Sequence, residues 1–504
     1  MHHKSFMYKI LTVLFFLTIP GKTWAQILPK EGSKLNYRII GFSFPAGNTG
    51  CKYKIEIAAG NFNSEESFKK NIITSFSNDK NKIIGEVPSF GKEYTWHVVH
   101  MNKNGTQTKS ALHHFSTGMI PEMDTNIIRF RVIKPAEKYK DAYIFLDGIG
   151  ALYDMNGKPV WFLPLRGDGM NKNILRRDIK ISPAGTITFL LNFQVYEIDY
   201  NGNILWKHTS KITNNKLDSF HHEFTRLSNG HYMGIILDDV FLKRAAFKNR
   251  KAINAKDSAN FYQNIQFNNI VEFDKNDRIV WKWNGLKYID NSDLFFMKNT
   301  DAPFIDLDFH QNSFYFDEKN KVVYLSFRDV WRVIKINYPE GKVLNTYGPI
   351  YSQNDKELEN GPFCYQHSCR LSRKGYLYLF NNNHCGTSHI PTVMMLQEIV
   401  PQGNELKKVW EYQCTIEDPV IAARESLSFI SGGNVLELPD ESMFVSMGTP
   451  YCKVFIVSLD KKILWSALPE KYDNEKKKWM PFYDIYRANI ITSRKELEKL
   501  IWNQ

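Results

Sequence analysis

A nine-residue pattern recurs along the chain. YDMNGKPVW (Tyr153 to Trp161), IDYNGNILW (Ile198 to Trp206) and FDKNDRIVW (Phe273 to Trp281) each set an aspartate seven residues ahead of a tryptophan, around a polar turn. INYPEGKVL (Ile336 to Leu344) keeps the spacing with Asn337 and Leu344, while PQGNELKKVW, ending at Trp410, and SLDKKILW, ending at Trp465, are looser copies. Ahead of most copies lies a second hairpin, such as DIKISPAGTITFLLN, HEFTRLSNGHYMGIIL or HSCRLSRKGYLYLFN. Two hairpins per unit, repeating at 45 to 75 residues, make a four-stranded blade. One such sheet cannot bury both faces alone, and packing six around an axis covers the faces and protects the edges. The repeat therefore predicts an all-β fold, a six-bladed β-propeller over 126–480, with the tryptophans packing blade on blade. Long segments of helical period are rare; the clearest, SRKELEKLI, predicts a short helix in a C-terminal tail over 481–504.

The chain has 504 residues with 43% hydrophobic and 14% aromatic content, enough for more than one globular core. Alternating runs ahead of the repeat, LNYRIIGFSF, CKYKIEIA and YTWHVVHM, predict a small N-terminal β-sandwich over 27–120. It resembles the fibronectin type, with Tyr94 and Trp96 as core aromatics. Met119 to Thr125, with Pro121, reads as the linker.

The start joins a basic stretch, MHHKSFMYK, to the eleven-residue run ILTVLFFLTIP and then a small residue, Ala25. It predicts a cleaved signal peptide over 1–25 and an oxidising destination, a bacterial periplasm. No later stretch is long and apolar enough to predict a transmembrane segment. The formal charge of +12 becomes +9 once Lys4, Lys9 and Lys22 leave with the leader, and no Lys/Arg block follows a phosphate backbone, so nucleic acid is not an expected partner. Six cysteines are too few for a disulfide scaffold, but Cys364 and Cys369 bracket His367 and would close a short loop around it.

Aligned second hairpins set His222 eight residues before Gly230, His367 eight before Gly375 and His310 eight before Glu318. Equivalent positions on radially arranged blades converge near the axis, so three distant imidazoles are expected to share a site. Arg328 ends the strand VVYLSFR, one hairpin back toward the same rim. A guanidinium among imidazoles suits an oxyanion and opposes a bound cation, so no metal is expected. No HExxH, CxxC, GxSxG or phosphate-binding glycine loop occurs. From these residues alone two other readings stay open: an exported non-catalytic propeller scaffold, and a metal- or carboxylate-dependent enzyme acting on extracellular glycans.

HHEFTRLSNG, HQNSFYFD with YLSFRDVWRVIKIN, and QHSCRLSRKGYLYLFNNN resemble, in this order, the motifs of the bacterial PAPS-independent arylsulfate sulfotransferase family. The resemblance runs over nearly all of 27–470. It implies a periplasmic enzyme that moves a sulfuryl group from an aryl sulfate to a phenol, ping-pong, through a sulfohistidine and without a cofactor. It implies His367 as nucleophile, from Gln366-His367; His310 and Asn312, from the HxNS motif; and Arg328. Of the His221-His222 pair, His222 is chosen for its register and is expected to act as acid toward the departing phenolate. A threonine contact late in the chain is assigned to Thr449. The expected partners are small aryl sulfates and phenols, and a homodimer is compatible with the family.

Overall fold

The computed structural model describes residues 26–165, 175–209, 212–213, 216–217, 219–243, 262–288, 307–348, 361–384, 390–399, 405–416 and 431–503. The expected leader over 1–25 lies outside the described residues. Among those described, no helix is long and apolar enough to cross a membrane.

The fold is all-β, and the chain divides into two compact units. The smaller comprises 40–85 and 93–115 with the described residues ahead of 34. Its main sheet sets His113–Thr117, Glu93–Met101, Lys52–Ala59 and Ile72–Asn78 side by side, and Ile39–Ser43 pairs with Lys82–Glu86. Trp96 is fully buried and meets Phe42 edge-on at 4.9 Å; Tyr94 stacks on Phe115 at 5.3 Å. Both expected aromatics are therefore in the core.

Segments 34–39 and 86–92, expected in the N-terminal domain, cluster instead with the larger unit. Buried Arg38 explains this: it donates to the carbonyls of Pro159 (2.9 Å) and Val87 (2.9 Å), while its backbone N–H bonds the Val160 carbonyl.

Among the described residues, the larger unit holds six sheets of four or more strands, antiparallel except where Leu307–Asp308 joins one of them in parallel. Five begin with the strands here called β1 (Arg176–Ile181), β2 (Phe220–Arg226), β3 (Gln311–Asp317), β4 (Gln366–Leu371) and β5 (Asn434–Glu437). The sixth joins both ends of the unit. The strand Ala488–Ile491, β6, pairs antiparallel with Tyr143–Leu146, so a stretch expected to be tail completes the first repeat's sheet. Likewise Ile128–Lys134 pairs with Ile463–Asp473 of the last sheet. The expected helix spans Arg494–Trp502, capped by Ser493.

Local chemistry explains the repeat. Asp154 Oδ1 accepts the N–H groups of Asn156 (2.9 Å) and Lys158 (2.8 Å), and Asp274 Oδ1 those of Asn276 (2.8 Å) and Arg278 (3.0 Å), fixing the turn. Three of the repeat's tryptophans donate their indole N–H to the corresponding turn of the next sheet, Trp161 to Tyr200 O (2.8 Å), Trp281 to Pro339 O (2.6 Å) and Trp410 to Leu459 O (2.7 Å), whereas the indole N–H of Trp206 is buried without a partner. Trp465, in the last copy, donates to Met155 O in the first, at 3.0 Å.

The first strands are joined by a second series of bonds. Asp178 in β1 accepts from Phe224 N in β2 (3.1 Å), and Glu223 in β2 from Phe314 N in β3 (3.2 Å). Ser313 in β3 accepts from Cys369 N in β4 (3.2 Å), and Ser368 in β4 from Val435 N in β5 (3.3 Å). Asn434 in β5 accepts from Ala488 N in β6 (3.2 Å), and Asn489 in β6 donates to Ile179 O, back in β1 (2.9 Å). In β1, β2 and β4 the ladder slips at this point, with Asp178, His222 and Ser368 at φ of 55°, 64° and 55°. Such bulges re-aim side chains, and here they turn the residues beside them toward one place.

Candidate active site

The slip in β2 points His222 at His310, just ahead of β3, and the rings meet Nε2 to Nε2 at 3.0 Å. His221 stands on the other side of His222 and contacts it through Nδ1. His222 is thus the member of the pair that faces His310. The register expected of the three histidines is not the one observed. Asp317 pairs with Val322, whereas Arg226 pairs with Tyr232 and Leu371 with Leu377, so the β3 turn is one residue shorter. Its left-handed residue is Lys321 (φ 54°), matching Gly230 (84°) and Gly375 (79°), and not Glu318. In the series of bonds between first strands, Asn312 precedes Ser313 as His222 precedes Glu223 and His367 precedes Ser368. His310 reaches the site from two residues earlier.

His367 is fully buried at the head of β4. Its Nδ1 lies 3.1 Å from the Tyr365 carbonyl and 2.9 Å from the Asn382 amide nitrogen. That amide nitrogen already donates to the carbonyls of Tyr365 (3.0 Å) and Gly432 (3.2 Å), which use both its hydrogens. A carbonyl only accepts, so Nδ1 carries the imidazole proton and the lone pair falls on Nε2. Nε2 is buried without a hydrogen-bond partner. Burial, with the charges of Arg328 and Arg487, holds the His367 pKa well below the usual value, so the ring is neutral.

Burial and the neighbouring His221 and His310 likewise hold the His222 pKa well below the usual value. A neutral imidazole is a poor proton donor, so the acid role expected of His222 does not fit its surroundings.

Arg328 sits where the sequence places it: its backbone N–H bonds the His310 carbonyl at 3.0 Å, closing the hairpin. Its guanidinium is gripped by the adjacent Asp329, Nε to Oδ1 at 2.5 Å, a carboxylate the sequence reading overlooked. Asn312 donates to Gln366 O at 2.7 Å, tying β3 to β4 beside His367, and its Oδ1 is buried without a partner. Gln366 donates to Phe327 O (2.9 Å) and Arg332 O (3.1 Å), so one residue locates both Arg328 and His367. The hydroxyl of Thr449 donates to Tyr483 O at 2.7 Å, three residues ahead of Tyr486.

The expected bridge between Cys364 and Cys369 is not formed. Cys364 is disulfide-bonded, whereas Cys369 is a free buried thiol. The strand separates them: Cys369 packs with Tyr324, Leu377 and Leu379 inside the sheets, while Cys364 precedes β4 and bonds Asn381 Oδ1 through its N–H (3.0 Å).

Two residues beside the histidines escaped the sequence reading because they come from the returning chain end. The ring of Tyr486 lies 5.5 Å from His222 and 6.0 Å from His367. Buried Arg487 donates to Asn312 O at 2.6 Å and lies 3.3 Å from both Asp178 and Glu223. Burial alone would raise the Glu223 pKa, but Arg370, Arg487 and Lys180 hold it at about 2. Asp178 and Glu223 thus face Arg370, Arg487 and Lys180 behind the histidines. Among the described residues no group of three or more His, Cys, Asp or Glu is arranged to hold a metal.

A family model described as Arylsulfotransferase (ASST) matches residues 131–413, more than half of the chain. The match includes His222, His310, Asn312, Arg328, His367 and Asn382, and ends before Tyr486. No curated protein matches. Solved structures similar to the chain include a protein of unknown function from Bacteroides caccae, with 14% identity, TM-score 0.38, and coverage of 69% of this chain and 98% of that one. An auxiliary nutrient binding protein from Bacteroides thetaiotaomicron has 10% identity, TM-score 0.31 and coverage of 90% and 92%. A periplasmic gluconolactonase from Pseudomonas aeruginosa has 10% identity, TM-score 0.28 and coverage of 88% and 99%. At these TM-scores the likeness decides nothing about this chain's function.

Proposed function

The chain belongs to the arylsulfotransferase family, and from that membership we propose that it transfers a sulfuryl group from an aryl sulfate to a phenol, ping-pong, through a sulfohistidine at His367. The observation that carries the reading is the state of His367: neutral, its proton held at Nδ1 by the Tyr365 carbonyl, its Nε2 buried with an unspent lone pair. A nucleophile in that state needs no prior deprotonation.

In the first half-reaction Nε2 attacks sulfur, the N–S bond forms, the S–O(aryl) bond breaks and its electron pair stays on the aryl oxygen. Arg328 and the ring N–H of the His222–His310 pair supply positive and donor groups to the sulfuryl oxygens as charge redistributes, much as in phosphoryl transfer. In the second half-reaction the acceptor oxygen attacks sulfur, the new S–O bond forms, the N–S bond breaks with its electron pair returning to Nε2 of His367, and the acceptor's proton is lost to water.

The scaffold we propose is a closed six-bladed propeller with a small N-terminal β-sandwich. The bond from Asn489 back to β1, and that from Trp465 to the first repeat's turn, support closure. An exported, periplasmic location is supported by the leader-like start and by the disulfide at Cys364, since such bonds persist in oxidising compartments. Incubating the purified chain with a chromogenic aryl sulfate tests the reaction: phenol-dependent colour release, with a new aryl sulfate formed, is expected. Release that ignores the acceptor would replace transfer with hydrolysis.

A further inference from the structure

With His222 neutral, no charged acid meets the oxygen that leaves sulfur. The returning chain end supplies a different group. Tyr486 is held at both ends of its peptide unit: its N–H bonds Asp147 Oδ1 at 3.0 Å, and its carbonyl accepts from Gly433 N at 2.8 Å. The approach is so close that a Cβ on Gly432 (φ 78°) would lie 2.3 Å from the Tyr486 carbonyl oxygen. The guanidinium of Arg177 lies over the ring at 5.0 Å and that of Arg487 at 5.6 Å. The ring is thus fixed beside both His222 and His367, and it is 6% exposed. Its hydroxyl is buried and has no hydrogen-bond partner.

Leaving a buried hydroxyl unpaired is costly, and a catalytic role is one of the few explanations for such a group in a native structure. Here the partner is the substrate whose sulfur must come within reach of His367 Nε2. We propose that the Tyr486 hydroxyl donates a hydrogen bond to the aryl oxygen at the bond that breaks, and to the acceptor oxygen in the reverse sense. This rests on the sulfuryl-transfer reading. The step balances without moving the tyrosine's proton: as the N–S bond forms and the S–O bond breaks, the aryl oxygen keeps the electron pair and leaves as a phenolate held by the O–H. Burial, opposed by the nearby arginines, pushes the Tyr486 hydroxyl up to about 12, above the roughly 10 of an ordinary phenol, so the proton stays on the enzyme. The interaction strengthens as charge grows on the oxygen, and so favours the transition state.

Tyr486→Phe removes the hydroxyl and keeps the ring between its arginines. Transfer to phenol is measured for a series of phenyl sulfates with leaving groups from strongly to weakly electron-withdrawn, alongside thermal melting of both proteins. With melting unchanged, Tyr486→Phe is expected to lose about tenfold or more in kcat/KM on the poorest leaving groups and much less on the best, steepening the dependence on leaving-group basicity. An equal loss across the series, or none, overturns the proposal and leaves the transfer reading intact. If the wild-type chain transfers no sulfuryl group to any acceptor, both fail together. Should Tyr486→Phe melt early, replacement of Tyr486 by a fluorinated tyrosine decides: a more acidic hydroxyl must flatten the leaving-group dependence, and no change overturns the proposal.

Discussion

The carbonyl oxygen of Tyr365 lies 3.1 Å from Nδ1 of His367, two residues further along the chain. This short local contact fixes which nitrogen holds the proton and turns the other toward the site. His367→Asn should therefore abolish transfer, by about a thousandfold or more, and His367→Ala should do the same. Because His367 is fully buried, and not a rim residue, the asparagine variant is the one expected to melt near the wild type. Activity within tenfold of wild type in a folded variant would remove His367 from the role of nucleophile.

Asn382 holds the Tyr365 and Gly432 carbonyls together at 3.0 and 3.2 Å. Asn382→Ala should let the Tyr365 carbonyl and the His367 ring drift, lowering kcat by about 10–100-fold with KM little changed, as misplacement of a reacting group does. Steady-state kinetics separates this from a folding defect, which would lower the active fraction and spare kcat per active site.

Asp329 grips the guanidinium of Arg328, whose charge acts on His367. Loss of a group that stabilises developing charge commonly costs about 10²–10³-fold in kcat, and Arg328→Ala should fall in that range. Arg328→Lys should recover only part of it, since the fork that Asp329 holds is gone.

Acid should cost stability from a predictable pH. His222 and His367 have folded pKa values below the ordinary 6.5, through burial first and then through neighbouring imidazoles or arginines. The unfolded chain therefore binds more protons below that pH. Their contribution is fully present above 6.5 and is lost as pH falls from 6.5 through the folded values, with a slope of at most about 1.4 kcal/mol per pH unit for each histidine. Denaturant unfolding between pH 7 and 5 should show this, and a double variant, His222→Asn with His367→Asn, should flatten it. The acid limb of kcat/KM should likewise lie below 6.5.

Buried Glu223 pairs with buried Arg487 at 3.3 Å and with the half-buried Arg370 at 2.7 Å and Lys180 at 3.6 Å. Breaking a buried pair by removing one partner typically costs about 3–5 kcal/mol, and Glu223→Gln should lose stability on that scale by chemical denaturation. A loss under about 1 kcal/mol would mean that the cations find water.

The part of the fold legible in the sequence was the part made by local chemistry. A polar turn recurs ahead of a strand, with an aspartate seven residues before a tryptophan in three copies and looser versions in the other three, so six sheets could be counted before any was seen. The structure brings His222 to His310 and ties Arg328 to the His310 carbonyl, contacts between strand ends beside turns. What was not legible depended on the chain's return. Nothing near Tyr486 or Arg487 announces that residues 488–491 will pair with a strand more than 300 residues earlier. The register through Glu318 failed because a turn one residue shorter puts Lys321 in the left-handed position. The Cys364–Cys369 pairing failed because proximity in sequence says little once one cysteine lies inside a strand and faces its core.

The central claim is tested most directly by intact mass of the purified protein after brief exposure to a chromogenic aryl sulfate without acceptor, followed by peptide mapping. One added sulfuryl group on the peptide carrying His367, discharged when phenol is added, is the predicted result. Release of the phenol with no adduct on any peptide would contradict a sulfohistidine and point to direct transfer or hydrolysis.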